Sequence, residues 1–147
     1  MTAEKWHVKR FDDLSGKEVY ELLRARETVF VVEQECAYHE IDHHDLESLH
    51  VYTTDAFGVV TAYARIFQEG GLVTFGRVLV RKDQRGKGLA NQLIGKVLQV
   101  IEEHFPKQPI EIEAQDYVQA LYARFGFKTI SDVFLLDDIP HVRMEKR

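Results

Sequence analysis

A chain of 147 residues that is 45% apolar is long enough to bury one hydrophobic core without disulfide or metal staples, and nothing in it suggests a second domain. Its formal net charge of −5 argues against general affinity for nucleic acid, and no run of about 18 apolar residues is present to cross a bilayer. The single Cys36 cannot form an internal disulfide and the opening Met1-Thr2-Ala3-Glu4-Lys5-Trp6 lacks the apolar core of a signal peptide, so a cytoplasmic location is expected.

In chain order, Trp6 to Phe11 alternates in polarity and reads as a first strand. Asp12-Asp13-Leu14-Ser15-Gly16 supplies capping side chains, and Val19, Leu22, Leu23, Val29 and Phe30 then recur at helical spacing, which predicts a helix from about Gly16 to Val29. Glu33 to Glu47 is polar and acidic and reads as a long loop or a broken second helix. Inside it, His39-Glu40-Ile41-Asp42-His43 is a formal match to the H-E-x-x-H zinc motif, in which a helix sets two histidines on one face beside a basic glutamate. The flanks carry no sustained apolar helical stripe, so the segment reads as a solvated or substrate-facing loop and no metal is expected. Ser48 to Thr54 and Val59 to Phe67 form a hairpin around Asp55-Ala56-Phe57-Gly58, and Glu69-Gly70-Gly71 turns the chain into the central strand.

That strand, Leu72 to Val80, runs into Asp83-Gln84-Arg85-Gly86-Lys87-Gly88 and then a helix carrying Leu89, Leu93, Val97, Val100 and Ile101 on one side. The first N–H groups of a helix have no internal partner and carry the positive end of its dipole, and glycine lets a phosphate approach them. Arg85 and Lys87 bring full positive charge to the same place. Neither G-x-G-x-x-G nor a P-loop is present. Phe105 to Pro109 stops the helix, and Ile110 to Ala114 forms a strand that a right-handed crossover sets parallel to its predecessor. A short helix with Val118, Leu121, Tyr122 and Phe125 ends at Gly126, and strands over Phe127 to Leu135 and His141 to Glu145 close the chain. The fold class is α/β, with a mixed central sheet whose N-terminal strands are antiparallel and whose centre is a βαβ unit.

Arg85-Gly86-Lys87-Gly88-Leu89-Ala90 resembles the R/Q-x-x-G-x-G/A signature of the GNAT N-acetyltransferase family, and Ala120-Leu121-Tyr122-Ala123-Arg124-Phe125-Gly126-Phe127 resembles that family's Leu-Tyr and Gly-Phe ending. Val29 to Gln34 with Tyr38 and Asp42, and Ile139 to Met144, are similar to its ElaA-like branch. The resemblance covers nearly the whole chain. It implies one GNAT domain over residues 1–147 with the acyl-CoA N-acyltransferase fold. It implies an enzyme that moves the acetyl group of acetyl-CoA to a primary amine by direct transfer, without metal.

The resemblance also assigns residues. Arg85 to Ala90 would hold the pyrophosphate. The backbone of Val78, Leu79 and Val80 would pair with the pantetheine arm and polarise the thioester carbonyl. Tyr122, also against the cofactor, would protonate the leaving thiolate. Gln115 stands where many members carry a cofactor-contacting Asn, and keeps both amide functions. Glu33, His50 and His141 are the titratable candidates for the base; histidine starts near neutrality, whereas a carboxylate needs burial to do this work. The acidic stretch from Glu33 to His50 would suit a cationic acceptor. The rival readings are a zinc hydrolase built on His39, Glu40 and His43, and a non-catalytic acyl-CoA sensor. The acceptor's identity and the oligomeric state, homodimer included, stay open.

Overall fold

The computed structural model describes residues 5–147. Its elements are β1 (His7–Arg10), α1 (Gly16–Arg26), α2 (His44–Glu47), β2 (Leu49–Thr54), β3 (Val60–Glu69), β4 (Leu72–Val80), α3 (Leu89–His104), β5 (Ile110–Gln115), α4 (Gln119–Ala123), β6 (Lys128–Thr129), β7 (Phe134–Leu136) and β8 (Ile139–Lys146). The sheet runs β1-β2-β3-β4-β5-β8-β6, with β7 also paired to β8. Among the described residues only β4 and β5 are parallel, as the crossover through α3 requires.

Ser15 starts α1 with a reciprocal cap: its hydroxyl accepts from the Glu18 N–H at 3.1 Å, and the Glu18 carboxylate accepts from the Ser15 N–H at 2.8 Å. The α-helix stops at Arg26, three residues short of the expected Val29, and the chain continues to Glu33 as a π-helical turn. Thr28, Val29, Val31 and Val32 are all β-branched and crowd an α-helical turn, and the Thr28 hydroxyl donates to the Arg24 carbonyl at 2.9 Å. The wider turn buries Val29 and Phe30 against Tyr52, Tyr63 and Leu79 on one face of the sheet. On the other face α3 buries Leu93, Ile94, Val97 and Val100 against Val51, Ala62, Ala64, Val73 and Phe75. The period of two in β3 sends Tyr63 to the first face and its neighbours Ala62 and Ala64 to the second.

The expected strand over Phe127 to Leu135 breaks into β6 and β7. At the break the Ser131 hydroxyl accepts the Arg143 N–H at 2.8 Å, where a continuous ladder would have used a backbone carbonyl.

The feature that shapes the site lies in β4. Tyr63 pairs with Leu79 and Arg65 with Gly76, so Ala64 alone opposes both Arg77 and Val78. This is a β-bulge, with Arg77 in the left-handed region at φ +51°. A bulge bends its strand. Among the described residues the β4–β5 ladder consists of one pair, Val73 with Ile110, and the two strands part beyond it.

Candidate active site

Glycine is required by the turn at the head of α3. Gly86 and Gly88 sit at φ +79° and +80°, where any L side chain is strained. Gly88 is the residue from which α3 starts, and a Cβ built on either glycine meets no atom within 4 Å, so the helix's first N–H groups open onto free space. Arg85 plays a different part from the free cation expected there. Its Nε donates to the Val80 carbonyl at 2.8 Å and its Nη2 to Glu33 at 2.7 Å, fastening the turn to the end of β4. Lys87 stays exposed and makes no ion pair among the described residues.

From this turn a cleft of about 860 Å³ runs between the parted strands, within the range of small-molecule sites. Thr74 to Val80 form one wall and Glu111, Ile112, Glu113 and Gln115 the other, with Glu33, Tyr122 and His141 along it. Past Val73 the main-chain groups of β4 have no partner on β5 among the described residues, and apart from the Val80 carbonyl, which Arg85 holds, this edge is open to an extended ligand. Tyr122 is 6% exposed, and its ring lies 6.0 Å from those of Phe75 and Phe127. Its hydroxyl makes no hydrogen bond among the described residues, and burial, with Tyr117 adding to it, pushes its pKa above the ordinary value, so it keeps its proton at neutral pH. Gln115 lines the same wall and its amide reaches the Gln34 side chain at 3.5 Å.

Residues 11–147 match the family described as acetyltransferase (GNAT) domain. The chain belongs to the GNAT acetyltransferase family. It is 36% identical to Protein ElaA of Escherichia coli over 147 residues, covering 97% of this chain and 95% of that one, and 41% identical to a UPF0039 protein of Schizosaccharomyces pombe over 138 residues, covering 92% of each. The crystal structure of E. coli ElaA matches with a TM-score of 0.93 at 34% identity, covering 99% of this chain and 100% of that one. An acyl-CoA N-acyltransferase from Pseudomonas aeruginosa gives the same TM-score at 39% identity and the same coverage.

Within this GNAT fold most of the residues singled out from the sequence gather at the cleft: Val78, Leu79, Val80, Arg85, Ala90, Gln115, Tyr122, Glu33 and His141 line it. Gly86, Lys87 and Gly88 form the turn at its end, and Leu89 is buried behind them in the core. His50 does not reach it. Its Nε2 donates to the Asp45 carbonyl at 2.9 Å and its Nδ1 accepts from the Tyr63 hydroxyl at 2.6 Å, so both nitrogens are committed inside the protein, and burial lowers its pKa.

The H-E-x-x-H stretch is no helix. His39 and His43 precede α2, which begins at His44. Glu40 is held by two guanidinium groups, Arg26 Nη2 at 2.6 Å and Arg77 Nε at 2.8 Å. Among the described residues no group of three or more His, Cys, Asp or Glu side chains is placed to hold a metal ion. Of the acids expected to face a cationic acceptor, Glu40, Asp42 and Asp45 are spent internally, whereas Glu33 lines the cleft. Arg26, 1% exposed, also reaches Asp45 at 2.7 Å, and Arg65 reaches Asp42 at 2.6 Å and Asp45 at 3.0 Å. Burial alone would raise the Asp42 carboxyl; Arg65, with Arg77, instead holds it down to about 2. This cluster went unread in the sequence, although Arg65 inside Ala62-Tyr63-Ala64-Arg65-Ile66 and Arg77 inside an apolar run are the signal for it, because a cation in a buried strand needs anions brought to it. It also fixes the bulge. The Arg77 guanidinium lies 5.4 Å above the Tyr38 ring and is paired to Glu40, which locks the left-handed residue that bends β4.

Proposed function

We propose that the protein transfers the acetyl group of acetyl-CoA directly to a primary amine. The observation that carries this reading is one continuous opening, in which the phosphate-type turn at Gly86 and Gly88, the unpaired edge of β4 and the unbonded hydroxyl of Tyr122 follow one another. The relative at 39% identity named an acyl-CoA N-acyltransferase supports it.

Acetyl-CoA supplies an acyl group already activated as a thioester. The turn's N–H groups, with Lys87, hold its pyrophosphate. Backbone groups of Val78, Leu79 and Val80 pair with the pantetheine arm, and a main-chain N–H among them polarises the carbonyl, where side-chain identity matters little. The Gln115 amide contacts the arm. Tyr122 holds a proton for the sulfur, and a base in the cleft takes one from the amine. The free Cys36 thiol fits a reducing cytoplasm.

Release of free thiol from acetyl-CoA, measured against a panel of primary amines, tests the proposal. Amine-dependent release is expected. Tight binding of acetyl-CoA with no release for any amine would favour a sensor instead.

A further inference from the structure

We infer that His141 is the general base of the transfer, and that its Nε2 is the atom that takes the amine's proton. This assignment rests on the function proposed above. His141 Nδ1 lies 2.7 Å from the Ile139 carbonyl. A carbonyl only accepts, so Nδ1 carries the hydrogen and the neutral ring keeps its lone pair on Nε2. Among the described residues Nε2 makes no hydrogen bond, yet the ring lines the cleft and is only 8% exposed. Phe134 stacks on it with centroids 6.2 Å apart, which fixes its plane. The other two candidates are engaged elsewhere: His50 through both nitrogens, and Glu33 by Arg85.

The sheet places this base opposite the acid. Val142 and Met144, the alternate residues of β8, join the core beneath α3, so His141 projects from the other face, on the side of Glu33 and Gln34. Tyr122 packs with Phe75 and Phe127 on the α3 side. His141 pairs with Gln115, which is five residues beyond Ile110, and five residues beyond Val73, the partner of Ile110, β4 has reached Val78 at its bulge. The ring therefore lines the same cleft as the backbone of Val78, Leu79 and Val80, which would polarise the carbonyl. Donor and acceptor of protons flank the opening, one on each side of the sheet.

The step balances. The N–C bond forms and the C–S bond breaks; the amine's proton goes to His141 Nε2 and the Tyr122 hydroxyl proton to sulfur, and water afterwards returns a proton to Tyr122 and takes one from His141. The charged and titratable groups that line the cleft with the ring include Arg143 two residues along β8, Glu113 on the adjacent β5, Asp137 in the β7–β8 turn, and Tyr117, Cys36 and Glu33.

His141→Asn separates a base from a structural residue, because its amide still donates to the Ile139 carbonyl while nothing replaces Nε2. In a thiol-release assay His141→Asn and His141→Ala should both lose on the order of 10²–10³-fold in kcat and the acid limb of the pH profile, with CoA affinity unchanged by calorimetry. Added imidazole should restore part of the His141→Ala rate. Wild-type kcat in His141→Asn, or an acid limb that survives, would overturn the assignment while leaving the transferase reading intact. A wild-type protein that releases no thiol with any amine would overturn both.

Discussion

Tyr122 packs its ring beside Phe75 and Phe127, and its hydroxyl is left without a protein partner at the cleft. Phenylalanine keeps that packing and removes the proton. Tyr122→Phe should therefore cut transfer by on the order of 10²-fold while CoA affinity and melting temperature stay near wild type, and a mutant with full turnover would return the residue to the core alone. His50 makes the opposite case, a titratable group whose chemistry is spent on structure. Its pKa is lowered by burial from the ordinary 6.5, so the unfolded chain binds its proton more readily than the folded one. Its contribution to stability is full above 6.5 and declines as pH falls through that value toward the folded pKa. Urea midpoints should accordingly drop between about pH 7.5 and 5.5, and drop less in His50→Gln, which keeps polar atoms but cannot charge. Equal slopes for the two proteins would show that His50 does not carry this dependence.

At the scale of elements, the bend in β4 is what turns an ordinary sheet into a cleft, and the cluster of buried Arg26, Arg65, Glu40 and Asp45 with half-buried Arg77 and Asp42 holds that bend. Its pieces balance, three cations against three anions, so removing one leaves charge buried without compensation. Arg26→Leu should destabilise the fold by about 3–5 kcal/mol in chemical denaturation; a change under about 1 kcal/mol would mean that the cluster is not what holds the segment over β4. The local signals in the sequence are legible: the β-rich runs of β2 to β5, the capping side chains before α1, and the glycines at the head of α3 all act within a few residues. The cluster is not, because its partners lie 14 to 37 residues apart and only the finished sheet brings them together. The same holds for β4 and β5. Their apolar runs announce strands, but the bulge that parts them depends on Arg77 finding Glu40 across the fold. A pair of histidines at helical spacing misleads for a related reason, since its glutamate has guanidinium partners that no spacing rule can see.

Across the whole molecule, the sheet separates two jobs. The α3 face supplies the rigid core, the helix start and Tyr122; the α1 face supplies the ionic cluster, Glu33 and His141, and the opening between β4 and β5 joins the two. A protein of net charge −5 must draw an anionic ligand to a local site, and under the proposed function that site is the turn at Gly86 and Gly88. Everything proposed about chemistry depends on that turn being where the pyrophosphate sits. Gly88→Asp puts a side chain and a negative charge at the start of α3, in space where the protein itself offers no clash, so the fold should survive the left-handed strain of about 1–2 kcal/mol. Calorimetric titration of CoA into the wild type and into folded Gly88→Asp is the direct measurement: saturable binding by the wild type and none by the variant is expected, and equal affinity in the two proteins would contradict the account.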